Sequence, residues 1–216
     1  MKNLAVAVLL VPVFVLPVAC GGHSSNNNIV GGPSCTVAPC GGDIVGTWNP
    51  SEVCADKSVF MTAFLSGLMG QCPGANVGSV NFAPTGSMVF GADMSYSITL
   101  SIAGSISVNI PGSCLQGATC ADLSTQLQSA FAGDPTIQSV SCTGSTTCAC
   151  PIVMSPDQTY ETGTYTVSGS TLLTTPTGST TADSQQYCVK GTTVTFPEPA
   201  MAQMQSGLVA IVAQKQ

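Results

Sequence analysis

The residues of this chain best equipped for chemistry are eleven cysteines, one histidine, ten carboxylates and four lysines; there is no arginine. An odd number of cysteines leaves one without an intramolecular partner. Setting Cys20 aside leaves Cys35, Cys40, Cys54, Cys72, Cys114, Cys120, Cys142, Cys148, Cys150 and Cys188, an even set suited to disulfides in an oxidising compartment. Spacing favours local bridges. Cys35 and Cys40 flank a short loop containing Pro39, Cys114 pairs with Cys120 and Cys142 with Cys148, Cys54 and Cys72 bracket an apolar stretch, and Cys150 and Cys188 remain as a long-range pair. The rival reading, a metal held by Cys148-Ala149-Cys150, lacks further Cys or His ligands close by, because the only histidine is His23. Nucleophilic catalysis through a Ser-His or Cys-His pair needs that base inside a folded domain, and His23 lies in a polar stretch near the start. The carboxylates Asp43, Glu52, Asp56, Asp93, Asp122, Asp134, Asp157, Glu161, Asp183 and Glu198 fall mostly at expected turns and helix starts, where Asp bonds local backbone. No calcium loop and no phosphate-binding glycine loop is present. The expectation is a protein without catalytic residues, cofactor or metal.

Cys20 belongs to a different chemistry. Met1-Lys2 gives a positive start, and Leu4 to Ala19 is apolar, a run short of the ~20 residues a membrane span needs. It has the form of an export leader. Its end, Leu16-Pro17-Val18-Ala19-Cys20-Gly21, resembles the lipobox of bacterial lipoproteins. That resemblance implies cleavage before Cys20, lipid attachment at Cys20, and a protein anchored in the cell envelope, expected at the outer membrane. Residues 1–19 are then the signal peptide. Gly21-Gly22-His23-Ser24-Ser25-Asn26-Asn27-Asn28, with Gly31-Gly32-Pro33, cannot bury enough apolar surface to order itself, so residues 20–40 are expected to form a flexible lipidated tether.

Losing Lys2 with the leader leaves three lysines against ten acidic residues, one unit more negative than the −6 of the whole chain. Such a chain has no means of neutralising a phosphate backbone, which excludes nucleic acid as a partner. Charged residues are 6% of the sequence against ~25% in a typical domain, so hydroxyl and amide groups must cover the surface.

The elements that would position these residues are mostly strands. Tyr96 to Ile102 alternates apolar with hydroxyl, Ala103-Gly104 reads as a turn, and Ile106 to Ile110 alternates again, which predicts a hairpin. Pro84-Thr85-Gly86 reads as a turn between Ser79–Phe82 and Ser87–Phe90. Further strands are predicted over Thr136–Cys142, Thr147–Met154, Tyr160–Ser168, Ser170–Thr175, Gln186–Val189, Thr192–Phe196 and Gly207–Ala213. Val59–Met69 reads as a short helix, and Leu123, Leu127 and Phe131 at four-residue spacing predict another over Ala121–Phe131. Strands this short also set aside a transmembrane barrel, whose staves need ~9–11 residues. About ten short strands with one or two short helices predict a mainly β fold, an antiparallel barrel or sandwich, over residues 41–216.

Gly46-Thr47-Trp48 resembles the Gly-x-Trp motif of lipocalins. With Cys40-Gly41-Gly42-Asp43, the segment Glu161 to Gly169 and Tyr187-Cys188-Val189-Lys190-Gly191, the pattern is similar to cysteine-rich, lipocalin-like lipoproteins of myxobacterial type. The resemblance implies an up-and-down β-barrel in which Gly46 and Trp48 mark one end and a small apolar molecule is held inside. It also implies a cation over the tryptophan ring, a place Lys190 or Lys215 would take. Two functions follow: a non-catalytic binder of a small apolar ligand, or a structural or surface-interaction protein with a filled barrel. Inward packing of Phe82, Phe90, Ile98, Leu100 and Tyr165 would fill the lumen, whereas a cavity of roughly 300 Å³ or more would favour binding.

Overall fold

The computed structural model of the protein describes residues 29–59, 72, 74–197 and 208–216. The leader, Cys20, His23, Glu198 and nearly all of the expected Val59–Met69 helix lie outside them. The chain is mainly antiparallel β. Its strands are β1 (Ile29–Val30), β2 (Gly46–Asp56), β3 (Asn76–Phe90), β4 (Ser95–Pro111), β5 (Ile137–Val140), β6 (Thr147–Ser168), β7 (Thr171–Pro176), β8 (Asp183–Gln186), β9 (Cys188–Lys190), β10 (Thr193–Pro197) and β11 (Leu208–Lys215). The helix α1 spans Cys120–Ala130, and 3₁₀ turns occupy Pro33–Thr36 and Gly112–Cys114.

The sheet runs β8-β7-β6-β4-β3-β2-β11-β10-β9, with β1 added to β2 and β5 to β6. Along this path neighbours in space follow one another in sequence, apart from the β5 side strand, and the late strand β11 returns to pair with β2. That is an up-and-down barrel. Its two outermost strands, β8 and β9, are separated in the chain by Tyr187 alone, so one bent segment pairs with β7 through its first half and with β10 through its second. The barrel is nearly closed. Gln185 Nε2 crosses the seam to Pro197 O at 2.7 Å.

Three long strands replace six predicted short ones. β3 has 15 residues, β4 17 and β6 22. The hairpin predicted at Ala103-Gly104 is a register shift within β4, and Pro84-Thr85-Gly86 continues in β3 register opposite Ile102 to Leu100. Glycine and proline here bend long strands without ending them. These strands are long enough for the staves of a transmembrane barrel. Side-chain direction excludes it instead: Tyr96, Leu100 and Ile102 are buried, while Ser97, Thr99 and Ser101 between them lie on the outer face. A lipid-facing barrel reverses that polarity.

α1 forms where the spacing predicted it. Thr119 caps it, with its Oγ1 accepting from Asp122 N and the Asp122 carboxylate accepting from Thr119 N, and Leu123, Leu127 and Phe131 pack on the core. That core has two main parts. One surrounds Ile106, Ile152, Cys148 and Leu208; the other surrounds Trp48, Phe90, Tyr165 and Phe196.

All ten cysteines are paired, but in none of the five combinations favoured by spacing. The bridges are Cys35–Cys54, Cys40–Cys188, Cys72–Cys114, Cys120–Cys148 and Cys142–Cys150. Sequence neighbours diverge because the fold sends them to different places. Cys35 meets β2 whereas Cys40 crosses to β9. Cys148 and Cys150, two residues apart on β6, are both fully buried, and each takes a separate partner. The described part of the expected tether, from Ile29 to residue 40, belongs to the fold through pairing with Asp56, the 3₁₀ turn and two of these bridges.

Candidate functional site

The Gly46-Trp48 motif lies at the start of β2. Trp48 is fully buried and donates from Nε1 to Ile44 O at 2.7 Å. Lys215, its cross-strand partner on β11, holds Nζ 5.2 Å from the ring centroid, so the cation over the tryptophan is Lys215 and not Lys190. Gly46 has a φ of +138°, and a Cβ there would stand 2.7 Å from Lys215 Cε. Glycine at this position lets the lysine lie across the ring.

Aromatic rings fill the space beyond Trp48. Phe90 meets Tyr165 edge-on at 5.3 Å and lies 6.4 Å from Tyr96 and Phe196. Each buried phenol has a partner for its hydroxyl. Tyr165 donates to Gly91 O and Tyr187 to Gly42 O, both at 2.8 Å, and Tyr96 donates to Glu161 Oε1. Burial raises all three phenol pKa values above the ordinary range, with the Glu161 charge adding to the effect at Tyr96 and Asp43 at Tyr165 and Tyr187. Among the described residues no buried side-chain polar atom lacks a partner.

A pocket of about 90 Å³ remains inside the barrel wall. Its apolar lining comes from Met88, Phe90, Ile98, Leu172, Phe196 and Ile211. Thr159 and Glu161 of β6, Thr174 of β7, and Asp183 and Gln185 of β8 supply the polar side. Exposure grades across it, from Phe90 and Phe196 at 1% and 5% to a solvent-exposed Asp183. Its lining comes from β3, β4, β6, β7, β8, β10 and β11, so both sides of the β8–β10 seam contribute, Asp183 and Gln185 from one and Phe196 from the other.

Of the expected lumen-filling residues, Phe90, Leu100 and Tyr165 are buried, and Phe82 and Ile98 are half-buried against the cores. This pocket is well under the roughly 300 Å³ that would favour a bound apolar ligand. Glu161 and Asp183, two carboxylates in a dispersed set of ten, are brought to one pocket. Period-two alternation on β6 carried the signal for Glu161, which shares the inward phase of Tyr165. Nothing local in sequence marked Asp183, whose place depends on how the barrel closes.

Cys35 Sγ, Cys54 Sγ and a Glu52 oxygen lie within 4.8 Å of one another, a geometry with metal-binding potential. The two sulfurs are bonded to each other, and Glu52 Oε1 accepts from Gly32 N. Cys148 and Cys150 are likewise each held in a disulfide. Comparison of the chain with protein-family models, curated proteins and solved structures gives no match.

Proposed function

We propose that this chain is a cell-envelope lipoprotein, anchored at the outer membrane through Cys20, whose filled barrel serves as a rigid, non-catalytic structural or surface-interaction module. The packed lumen carries this reading. Trp48, Phe90, Leu100, Tyr165, Tyr187 and Phe196 occupy the interior, and five disulfides tie the wall. A cavity of about 150 Å³ is what benzene occupies, so a pocket of about 90 Å³ does not enclose a fatty chain, a retinoid or haem. Nor does it enclose a sugar ring between Glu161 and Asp183, which supports a non-catalytic reading of that pair.

The pocket itself favours a second, narrower reading, in which the barrel takes a small molecule or the end of one. Two measurements test these readings. Wild-type protein partitions with membranes and Cys20→Ser is released or left uncleaved; a soluble wild type with an unmodified Cys20 thiol removes the lipoprotein reading. Fatty acids, retinoids and haem leave both the melting temperature and Trp48 emission unchanged. A saturable shift by any of them restores the carrier of a large apolar ligand.

A further inference from the structure

We infer that the pocket at the β8–β10 seam selects a small organic cation, one ammonium group on a short alkyl body. This rests on the second reading above, that the pocket admits a ligand at all. The pocket has two unlike ends. Phe90, Leu172 and Phe196 offer an apolar floor, which rewards a few methylene groups and gives nothing to a bare metal ion. Glu161 and Asp183 offer two carboxylates at the polar side. The chain has no arginine to neutralise them. No described lysine lines the pocket: Lys57 Nζ is engaged with Gly78 O at 3.1 Å, Lys190 ends β9, and Lys215 lies over Trp48. An anion entering here meets like charge, so a fatty carboxylate is rejected by electrostatics as well as by size. An ammonium gains charge-assisted hydrogen bonds at one end while its alkyl chain leaves water at the other. The Tyr96 hydroxyl, fixed on Glu161 Oε1, holds that carboxylate in place from the interior side.

The test is isothermal titration of the detergent-solubilised mature protein with n-butylammonium, n-butanol and butyrate, which share a chain and differ in head group. Butylammonium is expected to bind roughly tenfold more tightly than butanol and butyrate not at all, with the preference weakening in high salt. Glu161→Gln, which keeps an acceptor for Tyr96, and Asp183→Asn are each expected to weaken butylammonium several-fold and leave butanol unchanged. The ligand series on the wild type stands whether or not the variants fold. Equal binding of butanol and butylammonium, or displacement of butylammonium by an equal concentration of calcium, overturns the cation inference and leaves the small-ligand reading standing. Failure of all three compounds to bind overturns both.

Discussion

At the scale of single residues, Trp48 and Lys215 show how unequal two partners in one contact can be. Trp48 is wholly buried amid the second core, so Trp48→Ala removes a large side chain the surroundings cannot replace, at about 3–5 kcal/mol. Lys215 is exposed and contributes through the ring face, so Lys215→Ala costs only about 0.5–1 kcal/mol. Denaturant melts of the two variants should reproduce that ranking; equal losses would mean that the lysine, and not the packing, holds this end. The buried phenols set an alkaline limit. Their folded pKa values are raised above the ordinary tyrosine value of about 10, so their contribution to stability is complete below that pH and is lost as the pH rises toward the folded values. Melting temperature should fall above about pH 10, and Tyr96→Phe should flatten the fall.

At the scale of elements, the contrast lies between local and closing contacts. α1 was legible because its Leu123-Leu127-Phe131 face and its Asp122 start are properties of eleven consecutive residues. β4 was legible as strand but not as one strand, since Ala103-Gly104 carries the same local signal in a turn and in a register shift. The disulfide pairing was not legible, because it follows from barrel closure. Cys40 reaches Cys188 across 148 residues through a strap in which Gly41 N donates to Tyr187 O. Gly41 has a φ of +71°, and a Cβ would stand 2.4 Å from Gly169 O, so this strap runs directly against the β6–β7 turn. The Cys72–Cys114 and Cys120–Cys148 bridges shorten the covalent loop, yet the chain-entropy estimate for Cys40–Cys188 remains about 4–5 kcal/mol, against about 2.5 kcal/mol for the eight-residue Cys142–Cys150 loop. Paired Cys→Ala variants should therefore rank with loss of Cys40–Cys188 the more destabilising. The opposite order would show that seam closure is secured by its hydrogen bonds instead.

At the scale of the whole molecule, alternation along strands made the antiparallel β class legible but left barrel and sandwich open. The up-and-down barrel was implied only by the resemblance, and its near closure was not legible, because closure depends on Tyr187 joining two half-paired strands. The same dependence hid the pocket, whose lining is gathered from seven strands, β8 and β10 among them. The Cys35–Cys54 bridge gives this architecture a mechanical property. On the proposed anchor at Cys20, a pull from the N-terminal side reaches the described fold at Ile29, where β1 lies along the Asp56 end of β2. Between that point and the covalent link of Cys35 into β2 stand the two β1 residues, Gly31, Gly32 with its hydrogen bond to Glu52 Oε1, and the start of the 3₁₀ turn. Tension therefore peels a few residues and then loads a sulfur–sulfur bond, leaving the barrel out of the force path until β2 itself is drawn. Stretched from its N-terminus in a force spectrometer, oxidised protein should show a short first extension and a stiff arrest at Cys35. Reduced protein should yield without that arrest, and an arrest that survives reduction would assign the resistance to β2 pairing with β11.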